Sequence, residues 1–453
     1  MTFLLAFIAG AISLCGAPVF VILGGAALWC FYSAGIDISA VIIELYRMTS
    51  APTLVAIPFF TFAGYLLAES KAPLRFVELY QSLFGWMPGG IVIVTITACA
   101  FFTAFTGASG VTIVALGGLV LPILIKDGYS EKFSLGLVTC CGSVGLLFPP
   151  SLPIILYGVV AGVSIDELFL AGIVPGIVLV ATLSAFGIVV SLRGRKATEA
   201  IPRDQLGSGD RFAGAPAKLP AGKRSDRNRL EYKRIFAAVK DAAWELPIPL
   251  IILIGIYGGF FTTGEAAVVT VVYVWLVEVF VKRDLHIIRD VPRIMRESMV
   301  LVGGILIILG VALGFTNYLV DAQVPTKLFE FVRQYISSKY TFLIILNVFL
   351  LVVGCLMDVF SATIVVVPLI APIAKEFGIN PLHLGIIFLT NLEIGYMTPP
   401  VGLNLFISSF RFKKPITFLY RASFQFLMAM IVALLVITYV PDLSLWLAGF
   451  LNK

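Results

Sequence analysis

The strongest constraint on this sequence is an internal duplication built around two Pro-Pro pairs. The first copy runs from Thr106 to Pro153, and the second runs from Phe360 to Leu403. Each copy opens with a small, hydroxyl-rich patch, continues as an apolar run that contains a proline, and passes through a polar turn with a glycine. Each then ends at a Pro-Pro pair set in hydrophobic residues. Because proline interrupts a helix, each copy predicts a broken helical element.

The internal spacing of the two copies is the same. Pro149 follows Pro122 by 27 positions, and Pro399 follows Pro372 by 27 positions. A single Pro-Pro pair would be explained equally well by a simple kink in a helix. Two pairs at matched spacing in one membrane chain are typical of a secondary transporter.

The composition requires a membrane protein. Of 453 residues, 59% are hydrophobic and 13% are charged, and the mean hydropathy is +1.02, whereas a soluble domain has about 25% charged residues. Apolar runs of about 17–25 residues, long enough to span a bilayer, recur along the chain. We expect an all-α polytopic membrane protein with roughly 11–13 crossings and two re-entrant hairpins. The N-terminal segment 1–10 has no basic region and no cleavage site, so we expect it to be a retained first helix.

Cysteine and histidine patterns give no sign of an enzyme or a metal centre. The six cysteines lie in apolar runs, where they act as small hydrophobic residues. Their spacing matches neither a metal site nor a disulfide framework. His286 and His383 are the only histidines, and a structural role is expected for both. No nucleophile–base pair or cofactor motif accompanies them, so we expect no catalysis and no cofactor.

Basic clusters predict the orientation of the chain. The segment from Arg193 to Arg234 holds 12 Lys/Arg and 5 Asp/Glu without helical periodicity, which favours a partly disordered loop. The positive-inside rule places it in the cytoplasm. Lys282–Arg296 and Arg411–Lys414 are also basic and are expected on the same side. A nucleic-acid role is disfavoured because no aromatic residues are interleaved with the charges.

This loop divides the chain into two halves, and each half carries one copy of the duplication. We expect the halves to form an inverted repeat. The expected segments are scaffold helices in 1–90, a transport half with the first hairpin in 91–192, the basic loop in 193–245, scaffold helices in 246–297, and the second hairpin with C-terminal helices in 298–453.

The broken elements predict cation sites. Small residues in Thr106–Gly110 permit a tight turn inside the membrane, and the prolines of Gly142–Pro150 free backbone carbonyls about one turn upstream. Carbonyls in hydrocarbon must line a cavity or bind an ion. Together with the hydroxyls of Thr103 and Thr106 they form a set of hard oxygen donors that suits Na⁺.

The second copy repeats this plan with Gly354, the patch Ser361–Thr363, Gly395 and Thr398. Asp358 follows Gly354 by four residues, about one helical turn, and is therefore expected near the second cation.

Other polar residues in apolar runs are functional hypotheses. Glu265 is expected to cap a helix, and Glu393 is either a site residue or a salt-bridge partner. Asn347 and Asn391 are either interhelical contacts or substrate contacts. Asn404, four residues after the second Pro-Pro pair, is the preferred substrate contact.

Several stretches resemble one transporter family. They are AIPFFTFAGYLL (56–67), GWMPGG (85–90), TGASGVTIVALGGLVLPIL, GSVGLLFPPSLPIILYGVVAGVSIDELFLAGIVPG, YGGFFTTGEAAVV and IGYMTPPVGLNLF. With them the chain resembles, nearly end to end, the large membrane subunit of TRAP (tripartite ATP-independent periplasmic, DctM-type) transporters.

The resemblance implies an elevator-type fold in the bacterial inner membrane. It also implies that the protein imports an organic anion of the carboxylate class and that a sodium gradient drives this import. It implies two partners: a small membrane subunit, expected as a separate chain, and a periplasmic substrate-binding protein. The sodium ligands it implies are, for the first site, Thr103, Thr106, Gly145, Phe148 and Pro150, and for the second, Gly354, Gly395, Thr398 and Val401. The family usually has a Ser-Gly-Ser-Ser-like tip where this chain has TGAS (106–109), so a hydroxyl remains at both ends of the tip.

The substrate is expected between the two sodium sites, close to Ser109, Pro149, Asp358, Ser361, Pro399 and Asn404. Three alternatives remain open at this point: a stand-alone elevator carrier without a binding protein, a passive channel, and a polytopic membrane enzyme.

Overall fold

The computed structural model describes residues 18–49, 52–87, 89–194, 232–336 and 338–449. The predicted N-terminal helix and most of the basic loop lie outside the described residues. Within the described ranges every regular element is helical, as predicted. In chain order the main helices are α1 Val19–Ser33, α2 Ser39–Thr49, α3 Ala56–Glu69, α4 Ala72–Phe84, α5 Gly90–Thr106, α6 Ser109–Lys126, α7 Glu131–Cys141, α8 Leu152–Ala161, α9 Ile165–Gly194, α10 Tyr232–Asp241, α11 Pro247–Tyr257, α12 Thr263–Leu276, α13 Asp290–Asp321, α14 Val324–Tyr335, α15 Lys339–Leu356, α16 Val359–Glu376, α17 Pro381–Gly395, α18 Leu403–Phe412, α19 Ile416–Tyr439 and α20 Asp442–Ala448.

The duplication in the sequence is a duplication of helices. The series α5 to α9 is followed, about 250 positions later, by the equivalent series α15 to α19. Thus α6 begins at Ser109 and α16 at Val359, while α7 begins at Glu131 and α17 at Pro381. In each series two helices form a hairpin, and the next two form one helix broken at the Pro-Pro pair. Both Pro-Pro peptide bonds are cis.

Contacts between the two series show that they run in opposite directions. The Tyr157 hydroxyl near the end of α8 donates to the carbonyl of Pro381 at the start of α17, at 2.9 Å. At the other end of the molecule, Lys414 after α18 pairs with Glu131 at the start of α7, at 2.7 Å. The broken helix α7–α8 therefore ends where the broken helix α17–α18 begins. Likewise α17–α18 ends where α7–α8 begins, so the two copies are inverted relative to each other.

The two basic clusters that lie within the described residues, 282–296 and 411–414, share one end of the molecule. The start of α9 is joined to the end of α11 and the start of α12, because the Tyr257 hydroxyl donates to Asp166 O at 2.9 Å and Thr263 Oγ1 donates to Asp166 Oδ1 at 2.6 Å. The far end of α12, and with it Lys282–Arg296, thus lies at the end that also holds Lys414. The positive-inside rule makes this end cytoplasmic, as the sequence analysis expects.

Two amphipathic helices flank the hairpins at opposite ends, α4 before the first hairpin and α14 before the second. The helix α4 is held by a buried ion cluster in which Arg75 approaches Glu245 and Asp284 at 2.6 Å and Glu278 at 3.0 Å. The predicted cap at Glu265 is present as a reciprocal capping box with Thr262.

Fewer helices are long enough to span than the sequence analysis expects. Among the described residues, seven helices are long and apolar enough to cross a membrane, or up to nine if each bent pair counts as one span. The difference arises because several apolar runs fold as short hairpin arms or broken helices. The helix α10 also differs from expectation, since it occupies the end of the segment interpreted as an irregular loop.

Candidate functional site

The first chain break gathers oxygen atoms around Thr103. This residue lies in the last turn of α5 and is fully buried. Its hydroxyl is 2.8 Å from Cys99 O, 2.8 Å from Thr112 Oγ1 and 2.9 Å from Gly142 O. The predicted patch and the predicted break thus meet, because α5, α6 and the end of α7 each supply one of these oxygens.

A glycine permits this close approach. A Cβ atom on Gly145 would lie 2.1 Å from Ala100 O and 2.6 Å from Thr103 Cβ, so any side chain there would push α5 away. At the hairpin tip Gly107 has a φ of +62° and donates its N–H to Thr103 O at 2.8 Å, which ends α5 next to the start of α6.

The carbonyls of the break carry local hydrogen bonds. Phe148 N donates to Gly145 O, and Ser151 N donates to Phe148 O, both at 3.0 Å. Each carbonyl oxygen retains a second lone pair. Beside them the hydroxyl of Ser151 is buried without a hydrogen-bond partner among the described residues. Neutral carbonyl and hydroxyl oxygens next to an orphaned hydroxyl fit a sodium ion, to which Gly145, Phe148 and Pro150 would contribute carbonyls.

The second break brings two glycines face to face. A Cβ atom on Gly395 would lie 2.5 Å from the carbonyl carbon of Gly354, so α15 and α17 touch through their backbones. Thr398 Oγ1 donates to Ile394 O at 3.0 Å, and Thr398 N donates to Gly395 O at 2.9 Å. Val401 is 39% exposed, whereas Pro150 in the first break is buried. The two breaks share one plan but differ in their access to water.

Asp358 has a defined structural role. It is the N-cap of α16, and its Oδ1 accepts the N–H groups of Phe360 at 2.9 Å and Ser361 at 3.0 Å. The hydroxyl of Tyr396 accepts the N–H of Val359 in the same turn. The start of α16 is therefore tied to the second break.

A cavity of about 770 Å³ lies between the two hairpin tips. Ser109 from the first tip and Asp358 and Ser361 from the second are among its polar lining residues, and α3 and α13 close the other side. The cavity extends along α13 to Glu69 and Glu297, near the cytoplasmic end. At the first tip no side chain caps the start of α6, and the residues from Gly107 to Val111 around its first turn line the cavity.

The remaining predicted substrate residues lie elsewhere. Pro149 lines a separate, apolar cavity of about 430 Å³ between α4, α5, α9 and α11. Pro399 is exposed at the second break. Asn404 is fully buried and donates to Thr139 O at 3.4 Å, so it does not line the cavity between the tips. Their roles stay predictions.

Sequence reasoning missed the lining that comes from outside the duplication. Tyr65 on α3 and a strip of α13 that includes Leu301, Gly304 and Ile308 complete the cavity. The only sequence signal was the glycine pair at 303–304 in an apolar helix.

Glu393 is fully buried at 0% exposure. Both of its carboxyl oxygens lack a hydrogen-bond partner among the described residues, while Ser143 Oγ donates to its backbone carbonyl at 3.4 Å. A salt-bridge role for Glu393 is therefore excluded within the described part of the chain. No group of three or more His, Cys, Asp or Glu side chains that could hold a metal ion occurs there either.

Comparison with known proteins decides the family. A sequence profile for "Tripartite ATP-independent periplasmic transporter, DctM component" matches residues 3–443. The chain belongs to this family. The permease is 33% identical to the C4-dicarboxylate TRAP transporter large permease protein DctM of Pseudomonas aeruginosa over 92% of its own length and 91% of that protein. It is also 33% identical to the isethionate TRAP transporter permease protein DctMQ of Oleidesulfovibrio alaskensis, covering 96% of the permease and 64% of that longer protein.

A solved structure supports the fold. The YdaH transporter of Alcanivorax borkumensis is similar with a TM-score of 0.58 at 12% sequence identity, over 89% of the permease and 88% of that chain. The permease is a multi-pass protein of the bacterial inner membrane, in agreement with its family and its apolar helices.

Proposed function

We propose that the permease imports an organic anion of the carboxylate class, coupled to sodium, through the cavity between its hairpin tips. The anion would be delivered by a periplasmic binding protein, and a small membrane subunit would complete the permease. The substrate and the sodium ions would bind to the same group of helices, since these helices form both the cavity and the two breaks.

The uncapped start of α6 carries this proposal. A helix N-terminus presents unpaired N–H groups and a partial positive charge, and it binds anions. The helix α6 begins at Ser109, which lines the same cavity as Ser361 of the second tip. A carboxylate between the tips would accept hydrogen bonds from the hydroxyls and from the backbone. Discontinuous helices with substrate at their N-termini recur in secondary transporters.

The sodium proposal is supported by the donor chemistry of the two breaks. Both combine neutral hydroxyl and carbonyl oxygens with glycines that allow two backbones to touch. Because α5 and α6 meet the first break, and α15 meets α17 at the second, bound ions would fix the helices that form the substrate cavity. Sodium binding would thereby favour anion binding.

The partner proposal draws on the family and on the relatives' names. The Oleidesulfovibrio protein is named DctMQ and is longer than this chain. We propose that here the small subunit is a separate chain.

The deciding experiment is reconstitution in proteoliposomes with the small subunit and the cognate binding protein. Uptake of radiolabelled succinate, malate, N-acetylneuraminate and galacturonate would be measured with and without an inward sodium gradient. We expect uptake of one of these acids only when both sodium and the binding protein are present. Uptake without the binding protein would indicate a stand-alone carrier, and uptake indifferent to sodium would indicate a channel. Either result would contradict the proposal.

A further inference from the structure

Arg411 is a cation near the end of the molecule that holds the basic clusters. It lies in the last turn of α18 and is half-buried. None of the ion pairs formed by the described residues includes it. Arginine is always charged, so a guanidinium without an ion pair is available to bind an anion.

The guanidinium of Arg411 contacts a residue that lines the cavity between the hairpin tips. Its Nε donates to the carbonyl of Val114 at 3.2 Å, and Val114 lines the cavity. Ile407, one turn before Arg411 on α18, lines it as well. A Cβ atom on Gly118 would lie 2.4 Å from Arg411 Nη2. The guanidinium therefore lies along α6 between Val114 and Gly118, on the cytoplasmic side of the tip.

Arg411 is not part of the duplicated plan. The residue 250 positions earlier is Ala161. The helix that Arg411 touches also breaks the symmetry, because α6 has a π-helical segment at Ile113–Gly117, whereas α16 is α-helical throughout. Arg411 binds within that segment. Arg411 therefore gives the cytoplasmic side a charge that the opposite side lacks at the equivalent position.

The charged side chains that line the cavity are all acidic. The acidic lining residues are Asp358, Glu69 and Glu297. Arg293 pairs with Glu69 at 2.7 Å and with Glu297 at 3.4 Å, so that cation is already compensated. An anion that moves toward the cytoplasm past these three carboxylates would be stabilised by a cation without an ion pair.

We propose that Arg411 binds the acidic group of the transported anion as it leaves the cavity toward the cytoplasm. This inference rests on the proposed function. Arginine binds a carboxylate through two parallel N–H···O bonds. The hydrogen bond from Nε to Val114 would keep the guanidinium in place while its terminal nitrogens receive the carboxylate.

The test is exchange in the reconstituted complex, with the same four acids as probes. Vesicles are loaded with an unlabelled acid at increasing concentration, and entry of the labelled acid is followed. For Arg411→Gln we expect the half-saturating internal concentration to rise about tenfold or more, the size of one charged hydrogen-bond pair. The half-saturating external sodium concentration should stay at the wild-type value. Arg421→Gln, which removes an exposed arginine at the same end, is the control and should behave as wild type.

The other outcomes separate the possible roles. If Arg411 only braced the π-helical segment, Arg411→Gln would lower the melting temperature and the maximal rate but leave the internal half-saturation unchanged, and the inference would be wrong. If Arg411→Gln does not assemble, Arg411→Lys keeps the charge without the planar fork and should still raise the internal half-saturation. An unchanged value in Arg411→Lys would then overturn the inference. Failure of the wild type to move any of the acids would overturn the proposed function as well.

Discussion

Single glycines determine how closely the two chain breaks approach their partner helices. Replacing Gly145 or Gly395 by Val should abolish sodium-driven uptake, because a Cβ would meet backbone atoms at 2.1 Å and 2.5 Å. Overpacking of this kind costs about 1–3 kcal/mol, so the proteins should still insert. Uptake assays and melting in detergent would check this. Gly25→Ala is the control, since no atom lies within 4 Å of its added Cβ. Normal sodium-dependent uptake by either Val variant would refute the site assignment.

Asp358 combines a capping role with a proposed electrostatic role, and one substitution separates them. Asparagine also caps helices, so Asp358→Asn should preserve the start of α16 while removing the charge. We expect the half-saturating sodium concentration to rise about fivefold, because a charge several ångströms away contributes on the order of 1 kcal/mol. Asp358→Ala should in addition lower stability by about 1 kcal/mol. An unchanged sodium dependence in Asp358→Asn would show that the carboxylate acts only as a cap.

At the scale of elements, the attachment of α4 depends on one ion cluster. Arg75 is 11% exposed and faces three carboxylates from Glu245, Glu278 and Asp284. Removing one partner of a buried ion pair costs about 3–5 kcal/mol, so Arg75→Ala should markedly lower the melting temperature. Arg47→Ala, which breaks a pair at 3.6 Å with a 79% exposed side chain, should change it little. Equal melting temperatures for the two variants would mean that α4 is held by its apolar face alone.

The sequence predicted those helix ends and breaks that carry a local signal, such as a proline pair or a capping residue, and did not predict the others. The Pro-Pro pairs mark both breaks, and Thr262 with Glu265 marks the start of α12. The π-helical segment Ile113–Gly117 of α6 has no such mark, and within it Val114 O accepts a hydrogen bond from Arg411 Nε. The helix α10 was missed because its apolar residues are too few to stand out from the basic loop.

At the scale of the whole molecule, the inverted repeat predicts opposite accessibility of equivalent positions. Lys126 ends α6 and Glu376 ends α16, and both are exposed. In a cysteine-free background, Lys126→Cys should react with a membrane-impermeant maleimide only from the cytoplasmic side. Glu376→Cys should react only from the periplasmic side. Labelling of both from one side would contradict the inverted arrangement.

The sequence predicted the duplication, the meeting of patch and break, and the shared side of the basic clusters. It could not predict that Asn404 is buried against α7. Its spacing of four residues from the Pro-Pro pair gives its position along the chain but not the helix that its side chain faces. It could not predict the lining from α13 either, since those residues are ordinary apolar residues until the fold places them against the tips.

The first hairpin tip is held on three sides. A Cβ on Gly107 would lie 2.7 Å from Leu152 of α8, and one on Gly110 would lie 2.6 Å from Ile407 of α18. On the third side, Gly64 of α3 touches Phe105 O, where a Cβ would lie 2.1 Å away. A tip packed in this way cannot swing as a separate flap, because the two broken helices would first have to withdraw. We therefore expect the tip to move only together with the helices packed on it, so that cooling should slow turnover far more steeply than the motion of a single loop would require.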